Sequence, residues 1–191
     1  MTEIESVGES QADRDRFNNG IAIAVALISA FMAVSKIKDD NVVQSMQAAQ
    51  ADKIDYWGEY QARRQRQYIA ETTVAQIKAT MPATPTPEIL KSVEDFTKQA
   101  EYYKGRADES SVKAKKATAD YDALNQKDDL FDLSDAFLSV ALALFAVTAL
   151  VRVRWLFGVA AALGAAGGFF GVAAFAGWVN FHPDFLISFL N

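Results

Sequence analysis

Three uncharged apolar runs constrain this chain more than any other feature. They cover residues 20–35, 136–151 and 155–181, and none holds an ionisable side chain. A helix rising about 1.5 Å per residue needs about 20 apolar residues to cross the hydrocarbon of a bilayer. An open strand would leave its backbone unsatisfied there, so runs of this kind read as helices. Residues 36–135, between the first and second runs, are polar and rich in helix formers. The expected fold class is an all-α membrane protein. It has three transmembrane helices and a long antiparallel coiled-coil hairpin between the first and second. In residues, an acidic flexible N-terminal tail (1–17) precedes transmembrane helix 1 (18–35) and the first arm of the hairpin (36–81). A Pro-rich turn (82–87), the second arm (88–131), transmembrane helices 2 (132–151) and 3 (155–181), and an interfacial C-terminal segment (182–191) complete it.

Charge is spread unevenly along this plan. The net charge is −5, yet residues 36–128 hold fifteen Lys/Arg and fifteen Asp/Glu. The tail sets Glu3, Glu5, Glu9, Asp13 and Asp15 against Arg14 and Arg16. A secretory leader begins with a basic region, so the acidic tail favours a retained span over a cleaved signal. No basic face of the kind that binds nucleic acid emerges, and no nucleic-acid partner is expected. The chain has no cysteine and one histidine, which removes disulfides, thiolate metal sites and multi-histidine sites. It also lacks the G-x-x-x-x-G-K, G-x-S-x-G and H-E-x-x-H signatures. The expectation is a protein that is not an enzyme and needs no cofactor.

Sidedness rests on Arg152-Val153-Arg154, a short turn with two arginines and no acid. Short basic loops remain cytoplasmic. Three spans then place the N-terminus in the cytoplasm and the hairpin outside, in the periplasm if the membrane is a bacterial inner membrane. Trp155 and Trp178 bracket the third run 23 residues apart, about 35 Å of helix, as interfacial indoles do.

The hairpin divides at Pro82, Pro85 and Pro87, which cannot continue a helix. Thr86-Pro87-Glu88 restarts one, with threonine as N-cap and proline at the first helical position. In the second arm Ile89, Val93, Phe96, Ala100, Tyr103, Ala107, Ser110, Ala114, Ala117, Tyr121 and Leu124 alternate steps of four and three. That 3.5-residue repeat marks a left-handed coiled-coil seam, here built largely of alanine. A matching stripe in the first arm, Val42 to Met81, is interrupted by Lys53, Arg63 and Gln67. A seam this thin buries little, and helices draw most of their stability from packing. The numerous aromatics, Tyr56, Trp57, Tyr60, Tyr68, Tyr102 and Tyr103 among them, therefore point to a homo-oligomer or a larger membrane complex as partner, besides the lipid bilayer.

Two clusters stand out as candidate sites. Gly164, Gly167, Gly168, Gly171 and Gly177 lie at small-residue spacings that let helix backbones approach in lipid, within one chain or between chains. Asp39 and Asp40 leave the first span where Asp128 and Asp129 approach the second. Their hard oxygens suit a divalent cation or a pore mouth, against the simpler reading of solvated carboxylates paired with lysines. The basic run Arg63-Arg64-Gln65-Arg66 is expected to be solvated or to pair with Glu101, Asp108 and Glu109.

The blocks Ser35-Lys36-Ile37-Lys38-Asp39-Asp40-Asn41, Gln44, Met46-Gln47, Trp57 and Tyr60-Gln61-Ala62 carry a family resemblance. So do Asp132-Leu133-Ser134-Asp135-Ala136 and Arg152-Val153-Arg154-Trp155-Leu156. Over about residues 18–181 the chain resembles a bacterial membrane family, domain of unknown function 4337. The resemblance implies three spans with a helical insertion and carries no activity. The leading expectation is a structural or scaffolding membrane protein that self-assembles through its stalk and its Gly-rich third span. The alternatives are a pore component with an acidic mouth and an accessory subunit of a larger complex.

Overall fold

A computed structural model describes residues 2–178, with side chains from Asp15 onward. Three helices account for the regular structure of the described residues: α1 (Thr2–Thr80), α2 (Pro87–Val151) and α3 (Arg154–Ala176). All three are long and apolar enough to cross a membrane, as a multi-pass protein requires. The acidic residues 2–17 are drawn into α1, although nothing in their sequence specified a regular element. No break separates the first apolar run from the first arm, nor the second arm from the second run. The C-terminal segment 182–191 lies outside the described residues.

The helix ends follow local chemistry. Pro87 opens α2, the backbone N–H of Leu90 donates to Thr86 O at 3.2 Å, and that of Ile89 reaches Thr86 Oγ1 at 3.5 Å. Glu88, in the first turn, has its carboxyl held below the usual range by its own backbone N–H and then by Thr86. Between α2 and α3 only Arg152 and Val153 intervene, and Arg152 takes φ 57 while donating its N–H to Thr148 O at 2.8 Å. A left-handed residue of this kind terminates a helix at once, which makes so tight a turn possible. At the other end of α3, Gly177 has φ 69 and donates to Ala174 O, while Trp178 donates to Ala173 O at 3.0 Å. This paired arrangement satisfies the last carbonyls and ends α3 short of residue 181, where the apolar run continues.

The chain forms two compact units. The first comprises Met1–Gln44 and Ala123–Asn191, the second Ser45–Asp122. In the first unit Leu130, Phe131, Leu133, Phe170, Ala174 and Val42 make one buried cluster, and Ile21, Ala141, Phe145 and Ala160 another. Phenylalanines knit the three helices together. Phe31 and Phe131 pack on Phe175, and Phe17 and Phe145 on Phe157, with ring centroids 5.4–6.3 Å apart. Ile23, Leu27, Val34, Val147, Leu150 and Val172 remain exposed, a surface suited to lipid rather than water.

Glycine sets how closely α3 approaches. A Cβ on Gly167 would lie 2.7 Å from Leu138 Cγ and 3.0 Å from the Leu138 backbone nitrogen. One on Gly171 would lie 2.6 Å from the Phe31 ring and 2.8 Å from Ser134 Oγ. Gly164 is tight against Ile28 at 3.2 Å. Ser134 Oγ, fully buried, donates to Gly167 O at 2.8 Å. These three glycines are thus occupied inside the chain. Gly168 and Gly177 meet nothing within 4 Å, and the positive φ of Gly177 gives it a terminating role in place of the packing role expected from its spacing.

In the second unit Ala100, Ala107, Ser110, Ala114 and Ala117 of α2 are buried, as are Gln67 and Ala70 of α1. Phe96, Tyr103 and Tyr121 are half-buried, and so is Leu124, which belongs to the first unit. The three residues that interrupt the α1 stripe all have partners. Lys53 stands over the Tyr121 ring, 4.6 Å from its centroid. Gln67 accepts from Arg64 and donates to Glu71, both at 2.7 Å. Arg63 donates to Arg106 O at 2.8 Å, to Ser110 Oγ and to Glu59.

Candidate functional site

Serine, lysine and aspartate at the end of the first apolar run share one face of α1, because Ser35 and Asp39 are four residues apart. Asp39 is only 5% exposed. Its Oδ2 accepts from Lys36 Nζ at 2.8 Å, and Lys36 also reaches Asp40 at 3.6 Å. That hydrogen bond, more than any other contact, raises the lysine pKa. Asp39 Oδ1 and Ser35 Oγ are buried without a hydrogen-bond partner. On α2, Asp128, Asp132 and Asp135 recur at steps of four and three, and therefore turn toward one side of the helix.

The Asp128 carboxyl lies within hydrogen-bonding reach of Asp39. Burial, then the charges of Asp132 and Asp39, push Asp128 up to about 6. A cavity of about 20 Å³ beside Asp39 is lined by that residue, Ser35, Lys36, Asp132, Ser134, Asp135 and apolar neighbours. It has room for about one water molecule.

Of the four carboxylates singled out from the sequence as metal candidates, the structure brings Asp39 and Asp128 together. Asp40 is solvent-exposed, and Asp129 accepts from Asn125 at 3.3 Å. Among the described residues no three acidic or histidine side chains converge to hold a metal ion. Ser35, Lys36 and Asp132 complete the cluster, and the i,i+4 spacings from Ser35 to Asp39 and Asp128 to Asp132 are the sequence signals that join them. Arg152, Arg154, Trp155 and Trp178, expected at the membrane interface, are all exposed.

In the second unit Arg64, Gln65 and Arg66 are exposed, as the solvated reading expected, while the alternative pairing with acids of α2 takes another form. In place of Glu101, Asp108 and Glu109, Arg63 engages Glu59 and Ser110, Arg64 engages Gln67, and Arg66 lies over the Tyr103 ring at 5.6 Å. Glu109 pairs instead with Arg106 at 2.7 Å. Trp57 Nε1 donates to Thr118 Oγ1 at 3.2 Å. A groove of about 280 Å³ is bordered by Asp52, Tyr56, Lys113, Lys116 and Asp120. Its two aspartates and two lysines balance in charge.

The outward surface of this unit carries a second pattern on α1, separate from the seam stripe. Ala51, Ile54, Gly58, Gln61, Gln65 and Tyr68 are all exposed, and they follow one another by three and four residues. They form a second 3.5-residue stripe on α1, free of charge although the helix around it is densely charged. The signal was legible as a gap in the charge pattern rather than as hydrophobicity. On α2, by contrast, charges such as Glu94, Lys98, Glu101 and Lys104 break up the exposed positions.

The sequence profile of the family described as Domain of unknown function (DUF4337) matches residues 17–177, and the chain belongs to that family. No curated protein and no solved structure matches it.

Proposed function

We propose that this member of the domain of unknown function 4337 family is a non-enzymatic, structural membrane protein that assembles with copies of itself. Three helices anchor it, and residues 36–131 form an antiparallel two-helix coiled coil outside the bilayer. The cross-helix contacts support that pairing. Lys53 with Tyr121, Trp57 with Thr118, Arg63 with Ser110 and Arg66 with Tyr103 advance along α1 as they retreat along α2.

The observation that carries the assembly reading is the second stripe of α1. One 3.5-residue repeat faces α2, while the other, from Ala51 to Tyr68, is uncharged and exposed. An uncharged stripe lies against its own copy without like-charge repulsion and without burying an unpaired ion. The packing glycines Gly164, Gly167 and Gly171 are occupied within the chain, so assembly rests on the hairpin more than on the third span. The basic Arg152-Val153-Arg154 turn favours an orientation with the N-terminus in the cytoplasm and the hairpin in the periplasm of a bacterial inner membrane.

The absence of cysteine makes the test direct. Single Gln61→Cys and Gln65→Cys variants in native membranes should give a disulfide-linked dimer on mild oxidation, and Glu101→Cys, on charged α2 surface, should not. Tyr68→Asp should lower the mass of the gently extracted particle. A single copy held by another protein would make this chain an accessory subunit instead. A ring with altered ion flux in Asp39→Asn would favour a pore with an acidic mouth.

A further inference from the structure

Asp39 poses a problem that its lysine does not solve. Lys36 Nζ serves Oδ2, while Oδ1 is buried with no donor. A buried carboxylate oxygen left in that state is costly, since burial has removed the water that would have bonded it. The neighbour from α2 is another carboxyl, Asp128, within hydrogen-bonding reach. Two ionised carboxylates in contact repel each other. If one of them holds a proton, the same contact becomes a charge-assisted O–H···O bond.

We propose that Asp39 and Asp128 bind one proton between them, with the neutral Asp128 carboxyl donating its O–H to Asp39 Oδ1 and so tying α1 to α2. The surroundings favour proton uptake. α1 contributes Asp39 itself, with Lys36 already committed to Asp39 and Asp40. α2 adds the charges of Asp129 and Asp132 beside Asp128. α3 has no ionisable residue between 155 and 178, so it supplies no counter-cation. The cavity against Ser35, whose hydroxyl is buried and unpartnered, also borders Asp39 and has room for one water, a route by which the shared proton exchanges with solvent through Asp39.

The upward shift of Asp128 to about 6 agrees with this and sets the working range. Its folded value stands above the 3.8 of an ordinary aspartate. The stabilising contribution is therefore fully present below that ordinary value and lost as pH rises through about 6. Above it the two helices carry facing negative charges at this point and the link is broken.

The test uses the full chain in zwitterionic nanodiscs, followed by infrared difference spectroscopy from about pH 4 to about pH 8. Ordinary aspartate and glutamate side chains titrate near 4, well below the expected band. A protonated carboxyl losing its proton near pH 6 is expected. It should vanish in Asp128→Asn, whose amide donates to Oδ1 at every pH, and move to lower pH in Asp39→Asn. No carboxyl titrating above about pH 5, or one that persists unchanged in Asp128→Asn, would overturn the proposal. The wild-type titration decides the matter even if Asp39→Asn fails to fold.

Discussion

In the first unit, which holds the apolar helices, α3 meets α2 through glycine, whereas in the second unit α1 meets α2 through alanine and long polar side chains. Under the topology proposed above, the difference follows from the solvent each unit faces. Lipid is as apolar as a helix surface, so nothing is gained there by moving leucine from lipid to protein. Contact must come from close approach, from packed rings and from interhelical hydrogen bonds. Gly167 against Leu138, Gly171 against Phe31 and the bond from Ser134 to Gly167 O supply these. In water a methyl group does gain from burial, by about 0.8 kcal/mol. Ala107 and Ala114, both fully buried, keep the seam narrow enough for Arg63 and Trp57 to reach across it. The same small-residue appearance in sequence thus serves two different physical ends.

The strongest way to break the comparison is to fill the glycine contact. Gly167→Val should destabilise the first unit by about 3 kcal/mol or more, because its Cβ would meet backbone as well as side chain. Gly168→Val, one residue on and facing open space, should change stability by less than about 1 kcal/mol. Unfolding in mixed micelles measures both. Equal losses would mean that the glycine face has been assigned to the wrong residues.

Overfilling the alanine seam comes next. Ala107→Leu should cost about 1–3 kcal/mol, seen as faster amide hydrogen exchange within residues 45–122 and unchanged exchange in α3. Exchange that accelerates throughout the chain would instead indicate that the two units fold as one. The mildest effect belongs to Ser134→Ala, which removes a single interhelical hydrogen bond and should cost about 0.6–1.5 kcal/mol. No loss at all would show that the close approach of α3 relies on glycine packing alone.

Much of the architecture was legible because it rests on one-dimensional patterns. Charge-free runs of span length, prolines at 82, 85 and 87, and the 3.5-residue step from Ile89 to Leu124 can be counted along the chain. The candidate site was legible only in part. Asp39 and Asp128 were visible as carboxylates near the boundaries of apolar runs, but so were Asp40 and Asp129, and a linear sequence does not say which of four rotates inward. Gly177 resembled its neighbours by spacing, although its role depends on a positive φ. The partners of Arg63 and Gln67 were equally hidden, because a polar residue in an apolar stripe is a defect until the donors and acceptors opposite it are known.

The sequence by itself determined that this chain is helical, that three of its segments suit a membrane, and that it belongs to its family. Hydrophobicity, backbone hydrogen bonding and the helical period act locally, and each residue carries its share of them. Only the tertiary structure decided that Gly164, Gly167 and Gly171 are spent within the chain and that α1 leaves an uncharged stripe exposed. It also decided that Asp39 is buried against Asp128 with one oxygen lacking a donor. Those outcomes depend on which faces of three helices meet, and rotating a helix about its axis changes every contact while leaving its sequence pattern the same.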